Sequence, residues 1–164
     1  MIFQLEKLRS TDYSIVKDIY DYYIENTTAT FHLDLISIEE LKATVPLNHP
    51  KYQSFLIYSE GIVCGYCYIG SFKARAAYDR TAEITVYLKP ESTGKGIAFG
   101  VVNALEEIAK SVGINVLIAC ITGENTASIR LFEKCGYEKC AHFKQVGEKF
   151  GRILDVVDYQ KIIG

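Results

Sequence analysis

The chain has three prolines in 164 residues and no stretch where proline, glycine and serine accumulate. No linker, repeat or low-complexity segment divides it, so it reads as one domain, residues 1–164, long enough to bury a full core. Basic residues never run beyond two or three, and 18 Lys and Arg stand against 20 Asp and Glu, a net charge of −2. That balance argues against nucleic acid as a partner. No apolar run approaches the ~20 residues that span a bilayer, so no membrane partner is expected. The opening MIFQLEKLRST has neither the apolar stretch of a secretory signal nor transit-peptide character, and the expected location is the cytoplasm.

Paired metal-binding cysteines are missing too. The five cysteines are Cys64, Cys67, Cys120, Cys135 and Cys140, an odd count that reads as reduced thiols. Cys64 and Cys67 form a lone CxxC with no second pair to complete a zinc site. They fall in GIVCGYCYIG, read as a strand, where a spacing of three puts them on opposite faces. They are expected to be small buried side chains, and no metal is expected. His32, His49 and His142 fall in different elements and do not indicate a histidine-based nucleophilic site. Tyr20, Tyr22 and Tyr23 read as core or interface residues.

What is present is a succession of periodic segments. IFQLEKL suits a first strand. TDYSIVKDIYDYYIEN carries Ile15, Val16, Ile19, Tyr20, Tyr23 and Ile24 at helical spacing, with Ser10 or Thr11 as its cap. Ser37 and Glu40 form a capping box for a second, short helix. SFLIYSEGIVCGYCYIGSFK is a hairpin about Glu60-Gly61. AEITVYLK alternates, with Ile84, Val86 and Leu88 on one face and Glu83, Thr85 and Tyr87 on the other. A helix follows with Val101, Val102, Leu105, Ile108, Ala109 and Val112 on its buried stripe. GINVLIAC reads as a buried strand, and NTASIRLFEKCG as a helix stopped at Gly136. Strands Tyr137–Val146 and Arg152–Gln160 enclose GEKFG. The expected fold class is α+β with a mixed sheet flanked by helices, not the regular alternation of a doubly wound domain.

KPESTGKGIAFG lies between the alternating strand and the long helix. It is no Walker A loop, which needs two glycines five apart followed by Lys and Ser/Thr. A dinucleotide fingerprint fits Gly94 and Gly96, but Gly100 comes one position late. A third reading is a pyrophosphate cradle, in which the N–H groups from Gly94 to Phe99 converge at the positive end of a helix and Lys95 adds a cation. A turn that serves topology alone is the fourth.

A strand ending YLKP, the TGKGIA turn, a helix, a buried strand and GENTASIRLFEKCGY together resemble the GNAT acetyltransferase superfamily. Its turn pattern Q/R-x-x-G-x-G/A falls on Thr93, Gly94, Lys95, Gly96, Ile97 and Ala98, with Thr93 in place of Gln/Arg. ENTTATF at 25–31, FKARAAYDRTAEITVYL at 72–88 and VGEKFGRILDVVDYQ at 146–160 are similar to the phosphinothricin N-acetyltransferase family within it. The resemblance implies a mostly antiparallel central sheet, acetyl-CoA as co-substrate, and transfer of acetyl to an amine. It implies cofactor contacts at Gly94, Lys95, Gly96, Ile97, Ala98, Phe99 and Asn125, and at the backbone of Val86, Tyr87 and Leu88. Glu83 matches the family's proposed base. A carboxylate with a reference pKa of ~4.3 needs burial or a water relay for that task. Seven residues after Asn125, where many members have a proton-donating tyrosine, stands Phe132. Tyr137 or another tyrosine is the available substitute.

Lys73 and Arg75 are two apart, a spacing that on a strand aims both the same way to hold a carboxylate or phosphinate. Phe31 and Tyr78 match aromatic substrate-pocket positions. The implied acceptor is a small α-amino acid such as phosphinothricin, methionine sulfoximine or methionine sulfone, and the implied assembly is a homodimer. Peptide or protein amine acetylation, a non-catalytic acyl-CoA binder and an NADP-binding module stay open as alternatives.

Overall fold

Strand β1 (Gln4–Lys7) leads to helices α1 (Tyr13–Asn26) and α2 (Ile38–Thr44), strands β2 (Ser54–Ser59), β3 (Ile62–Ser71) and β4 (Thr81–Leu88), and helix α3 (Ile97–Ser111). Strand β5 (Val116–Thr122), helix α4 (Thr126–Lys134) and strands β6 (Glu138–Lys149) and β7 (Arg152–Ile162) complete the order that the periodicity predicts. This is a computed structural model, and it describes residues 2–164. The strands form one sheet in the order β1-β2-β3-β4-β5-β7-β6. Every pairing is antiparallel except β4 with β5. The fold is α+β with a mixed, mostly antiparallel sheet.

Two apolar clusters sandwich the sheet. On one face Val16, Ile19 and Leu41 from α1 and α2 pack with Leu56 and Tyr66. On the other, Val101, Val102 and Leu105 of α3 and Phe132 of α4 pack with Ile69, Ile84 and Leu117. Burial of each such side chain stabilises by about 1.5–3 kcal/mol. Three of them on α3 outweigh the ~1 kcal/mol cost of Gly100 within that helix. Gly100 is small for a reason, because a Cβ there would sit 2.5 Å from the Phe3 ring.

Local chemistry accounts for most boundaries. Ser37 accepts from the Glu40 N–H and Glu40 reaches back to Ser37, the expected capping box. Glu60 and Gly61 both have positive φ and close the β2–β3 hairpin. Gly136, at φ 91°, ends α4 while Tyr137 N–H returns to Phe132 O at 2.9 Å.

Four expectations are corrected. The cap before α1 is neither Ser10 nor Thr11. Those residues form a short 3-10 turn, Asp12 holds the N-cap position, and Asp12 Oδ2 accepts from the Arg9 N–H at 2.9 Å. β6 runs on through Gly147, Glu148 and Lys149, because Phe150 and Gly151 alone, both at positive φ, make the turn. β3 ends at Ser71, so Lys73 and Arg75 lie in an exposed loop before a 3-10 turn at Ala76–Tyr78, not on a strand. Lys73 instead lies over the rings of Phe72 and Tyr78.

The fourth correction concerns Cys64 and Cys67. Both belong to the cluster under α3, not to opposite faces. The β2–β3 register shifts between Ile57 and Tyr58, whose partners are Gly65 and Val63, so Cys64 is an extra residue. This bulge reverses the strand's phase: Val63 and Tyr66 face the α1 side, Cys64 and Cys67 the α3 side. Burial raises both thiol pKa values, which keeps the thiols protonated.

Candidate active site

The parallel seam between β4 and β5 closes only at one end. Thr81, Ala82 and Glu83 pair with Val116, Leu117 and Ile118, and no further pairing joins the two strands. β4 runs on to Leu88 and β5 to Thr122, so a wedge opens immediately after Glu83. β4 stays bound to β3 on its other side along Ala82–Leu88. Tyr87 pairs with Tyr66, and Lys89 N–H donates to Cys64 O at 2.8 Å. Antiparallel alternation then turns the backbone groups of Val86 and Leu88 toward the wedge, while those of Tyr87 serve the ladder.

A cavity of about 650 Å³ fills this wedge. Its wall takes Tyr20 and Tyr23 from α1, Tyr66 and Tyr68 from β3, β4 from Glu83 to Leu88, and Ala119–Thr122 from β5. Thr93, Gly94, Gly96, Ile97, Ala98 and Phe99 contribute from the glycine turn, and Asn125, Phe132 and Lys134 from the α4 region. One cavity thus joins Glu83, the backbone of Val86 and Leu88, the turn and Asn125.

The turn has the properties of a phosphate cradle. Gly94 and Gly96 have φ of 74° and 82°, a region that favours glycine, and a Cβ on either would meet nothing within 4 Å. Gly96 is the N-cap of α3, and the first helical bond runs from Gly100 N–H to Gly96 O. The N–H groups of Ile97, Ala98 and Phe99 are therefore left without intrahelical acceptors at the positive end of a 15-residue helix. Thr93 spends its hydroxyl within the turn, on Pro90 O at 2.8 Å. Lys95 is exposed and stands off the cavity wall. The cation on the wall is Lys134, whose Nζ lies 4.7 Å from the Phe99 ring centroid. Unspent amides, open space above two glycines and an unpaired strand edge fit an extended molecule with phosphates at one end.

At the other end sits Glu83. Its pKa is raised, by burial first and then by the charge of Asp158. Cys120 lines the same wall, and burial with Asp158 pushes its thiol up to about 12. Around them stand phenols. Tyr68 is pushed up to about 12 by burial, and Tyr87 rises well above the ordinary range. Tyr20 bonds Thr30 Oγ1 at 2.6 Å and also His32 Nδ1, and Tyr23 donates to Leu88 O. Tyr20 and Tyr23 thus line the cavity as well as packing against the core. Their roles come from tertiary packing, as do those of Lys134 and Cys120, and no motif marks them.

Asn125 serves two ends: it lines the cavity, and its Oδ1 accepts from Ser128 N–H at 3.2 Å to cap α4. Phe132 is buried, edge-on to Tyr137 at 5.0 Å, and has no proton to give. Tyr137 is no substitute. It is 3% exposed in the core under α3 and α4, and its hydroxyl finds no partner there. Phe31, Lys73, Arg75 and Tyr78 are not on the cavity wall. Phe31 packs against Gly147, on the hairpin of β6 and β7.

Residues 5–157 match the acetyltransferase (GNAT) domain family. The chain belongs to that family. It is 32% identical over 144 residues to an L-methionine sulfoximine/L-methionine sulfone acetyltransferase of Pseudomonas paraeruginosa, covering 87% of this chain and 84% of the relative. It is 29% identical to a phosphinothricin N-acetyltransferase of Streptomyces viridochromogenes, over 96% of this chain and 86% of the relative. The crystal structure of a GNAT phosphinothricin acetyltransferase from Sinorhizobium meliloti in complex with acetyl-CoA superposes with a TM-score of 0.92 at 30% identity, covering 100% of this chain and 90% of that one. This GNAT protein is an acetyl-CoA-dependent N-acetyltransferase, with acetyl-CoA as its co-substrate. Among the described residues, no helix is long and apolar enough to cross a membrane.

Proposed function

We propose that the chain acetylates the α-amino group of a small amino-acid-like substrate, of the phosphinothricin, methionine sulfoximine or methionine sulfone type, by direct attack with Glu83 as base. One observation carries the reading: Glu83 stands where the β4–β5 seam opens, in the same cavity as the glycine turn. Acetyl-CoA supplies the thioester acetyl group. The amides of Gly94 to Phe99, with Lys134, are suited to its phosphates, and the Val86 backbone and the Leu88 N–H, with Leu88 O taken by Tyr23, to its pantetheine arm and acetyl oxygen. Lys95, Tyr87 and Asn125 complete the set of proposed cofactor contacts. Glu83, made more basic by burial, takes a proton from the ammonium so that the neutral amine can attack. Cys120 is a poor candidate for a covalent route, since a thiol pushed up to about 12 is not ionised at neutral pH. With Phe132 unable to donate, the leaving thiolate takes its proton from water, which its reference pKa of ~8.5 allows.

The names of the relatives support the amino-acid acceptor. Lys73, Arg75, Tyr78 and Phe31 are the proposed contacts for its far end. Exposed Phe143, Val146, Phe150 and Ile153 of the last hairpin, with Phe31 packed on Gly147, supply the apolar surface for the proposed homodimer. A peptide or protein amine is the second reading, favoured by the position of Lys73 and Arg75 off the cavity wall. Thiol release from acetyl-CoA, measured over methionine sulfone, phosphinothricin and a free-amine peptide, tests both. Release with the amino acids that falls sharply in Arg75→Ala supports the first. Release with the peptide alone moves the assignment to the second. Unchanged turnover in Glu83→Gln removes the base.

A further inference from the structure

Two strands beyond Glu83 lies a carboxylate that the acetyl transfer as described leaves unused. Glu83 pairs with Ile118 on β5, and two residues on, Cys120 pairs with Asp158 on β7. Period-two alternation puts Glu83, Ile118, Cys120 and Asp158 on one face of the sheet. Cys120 reaches the cavity, while Asp158, directly opposite it, is not on the wall. The Oδ1 of Asp158 is fully buried and has no hydrogen-bond partner. Among the described residues no ion pair joins Asp158 to a cation. The Cys120 thiol beside it offers a hydrogen bond but no charge, so the carboxylate has no counter-charge from the core. Off the cavity wall and beside Cys120, it is placed to act through its neighbours.

The groups facing Glu83 are few. Tyr68 from β3, Tyr87 from β4, Cys120 from β5 and Asp158 from β7 interact with it, and Tyr20 from α1 and His32 from the loop after it line the same cavity. The phenols and the thiol are neutral, and no Lys or Arg is among them. Lys134, the cation on the cavity wall, belongs to the phosphate end beside Phe99. Apart from His32, whose Nδ1 is engaged with Tyr20, the acceptor end holds no basic side chain beside its carboxylates.

We propose that Asp158 is a positioning residue for acetyl transfer, a second carboxylate set behind the cleft wall that acts through Glu83 on the incoming amine. The proposal rests on the reading of Glu83 as base. The acceptor arrives as an ammonium cation, and two carboxylates attract it more strongly than one. Asp158 also disfavours a negative Glu83, which makes Glu83 the better proton acceptor. The proton passes from nitrogen to a Glu83 oxygen. The nitrogen lone pair then forms the C–N bond as the thioester C–S bond breaks, the electron pair leaves on sulfur, and the second proton shed by nitrogen passes through water to the thiolate.

The test is the pH profile of kcat/KM for the acceptor in wild type, Asp158→Asn, Asp158→Glu and Glu83→Gln. Removal of the second charge lowers the pKa of Glu83. The acid limb in Asp158→Asn then moves to lower pH by about half a unit or more. Its plateau falls severalfold, because a weaker base transfers the proton less well. Asp158→Glu keeps the limb near wild type, and KM for acetyl-CoA is unchanged throughout. A limb in Asp158→Asn that superposes on wild type overturns the proposal while Glu83→Gln remains inactive. A Glu83→Gln enzyme with the wild-type profile overturns the base reading and this proposal with it. Should the asparagine variant not fold, Asp158→Ser leaves room for water and gives the same two outcomes.

Discussion

Strand β5 has two neighbours and treats them differently. Against β7 it keeps seven successive pairs, from Val116 to Thr122, and against β4 only three. The continuous side is antiparallel, and it ties the last hairpin to the body of the protein. The interrupted side is parallel, and all the proposed chemistry lies where it stops. An unpaired backbone N–H in a buried place costs on the order of 1–3 kcal/mol. The protein accepts such groups on β4 because its far edge is held to β3 and because Tyr23 takes the Leu88 carbonyl. A binding site here is a stretch of sheet prevented from closing.

The contrast is broken most severely by removing the base at the opening. Glu83→Gln is expected to cut kcat by about 10²- to 10³-fold, with acetyl-CoA binding intact by calorimetry, since a positioned base is worth roughly that much. Next comes Gly65, whose place against β4 admits no side chain: a Cβ there would strike the Tyr87 carbonyl oxygen and lie 2.9 Å from Leu88 Cδ2. Gly65→Ala is expected to cost about 1–3 kcal/mol in denaturant unfolding. It should also lower kcat by displacing the open edge. Gly96→Ala tests the other end of the cavity. At φ 82° it should cost about 1 kcal/mol and raise KM for acetyl-CoA severalfold, with the acceptor KM unchanged. Tyr23→Phe releases Leu88 O and is expected to lower kcat/KM only a few-fold, about the worth of one hydrogen bond.

The smallest effect concerns stability and has the opposite sign to that on activity. Glu83 has a raised pKa in the folded protein, so ionising it costs folding free energy. That cost is fully present above the folded pKa and vanishes below the unfolded one, ~4.3. Glu83→Gln should therefore be slightly more stable than wild type at pH 7, and the advantage should disappear on acidification below pH ~4. Thermal melts at the two pH values measure it. A variant less stable at pH 7 would mean that the opening is held by Glu83, not merely occupied by it.

The order of elements is legible in the sequence because each segment carries its own period and its own caps. Glu83 and the glycine turn are legible for the same reason: one lies in a cleanly alternating strand, the other between a strand and a helix. The loop at 72–80 is not. FKARAAYDR has no turn glycine or proline, and Lys73 and Arg75 mimic strand spacing. Tyr20, Tyr23, Cys120 and Lys134 meet in one cavity only through the crossing of α1, β5 and α4, and no local pattern records that meeting. Cys64 was hidden differently. In IVCGYC every residue is apolar or glycine, so a phase slip leaves no trace in the hydrophobic pattern.

That slip makes β3 two half-strands spliced out of step. Pairing β3 regularly with every residue kept would turn Val63 away from α1 or Tyr66 and Tyr68 under α3, whereas loss of Gly65 would leave Val63, Cys64, Tyr66 and Cys67 alternating, each on its present face. The extra residue thus offsets a phase mismatch in the sequence itself, and lets both halves of β3 bury their own apolar side chains.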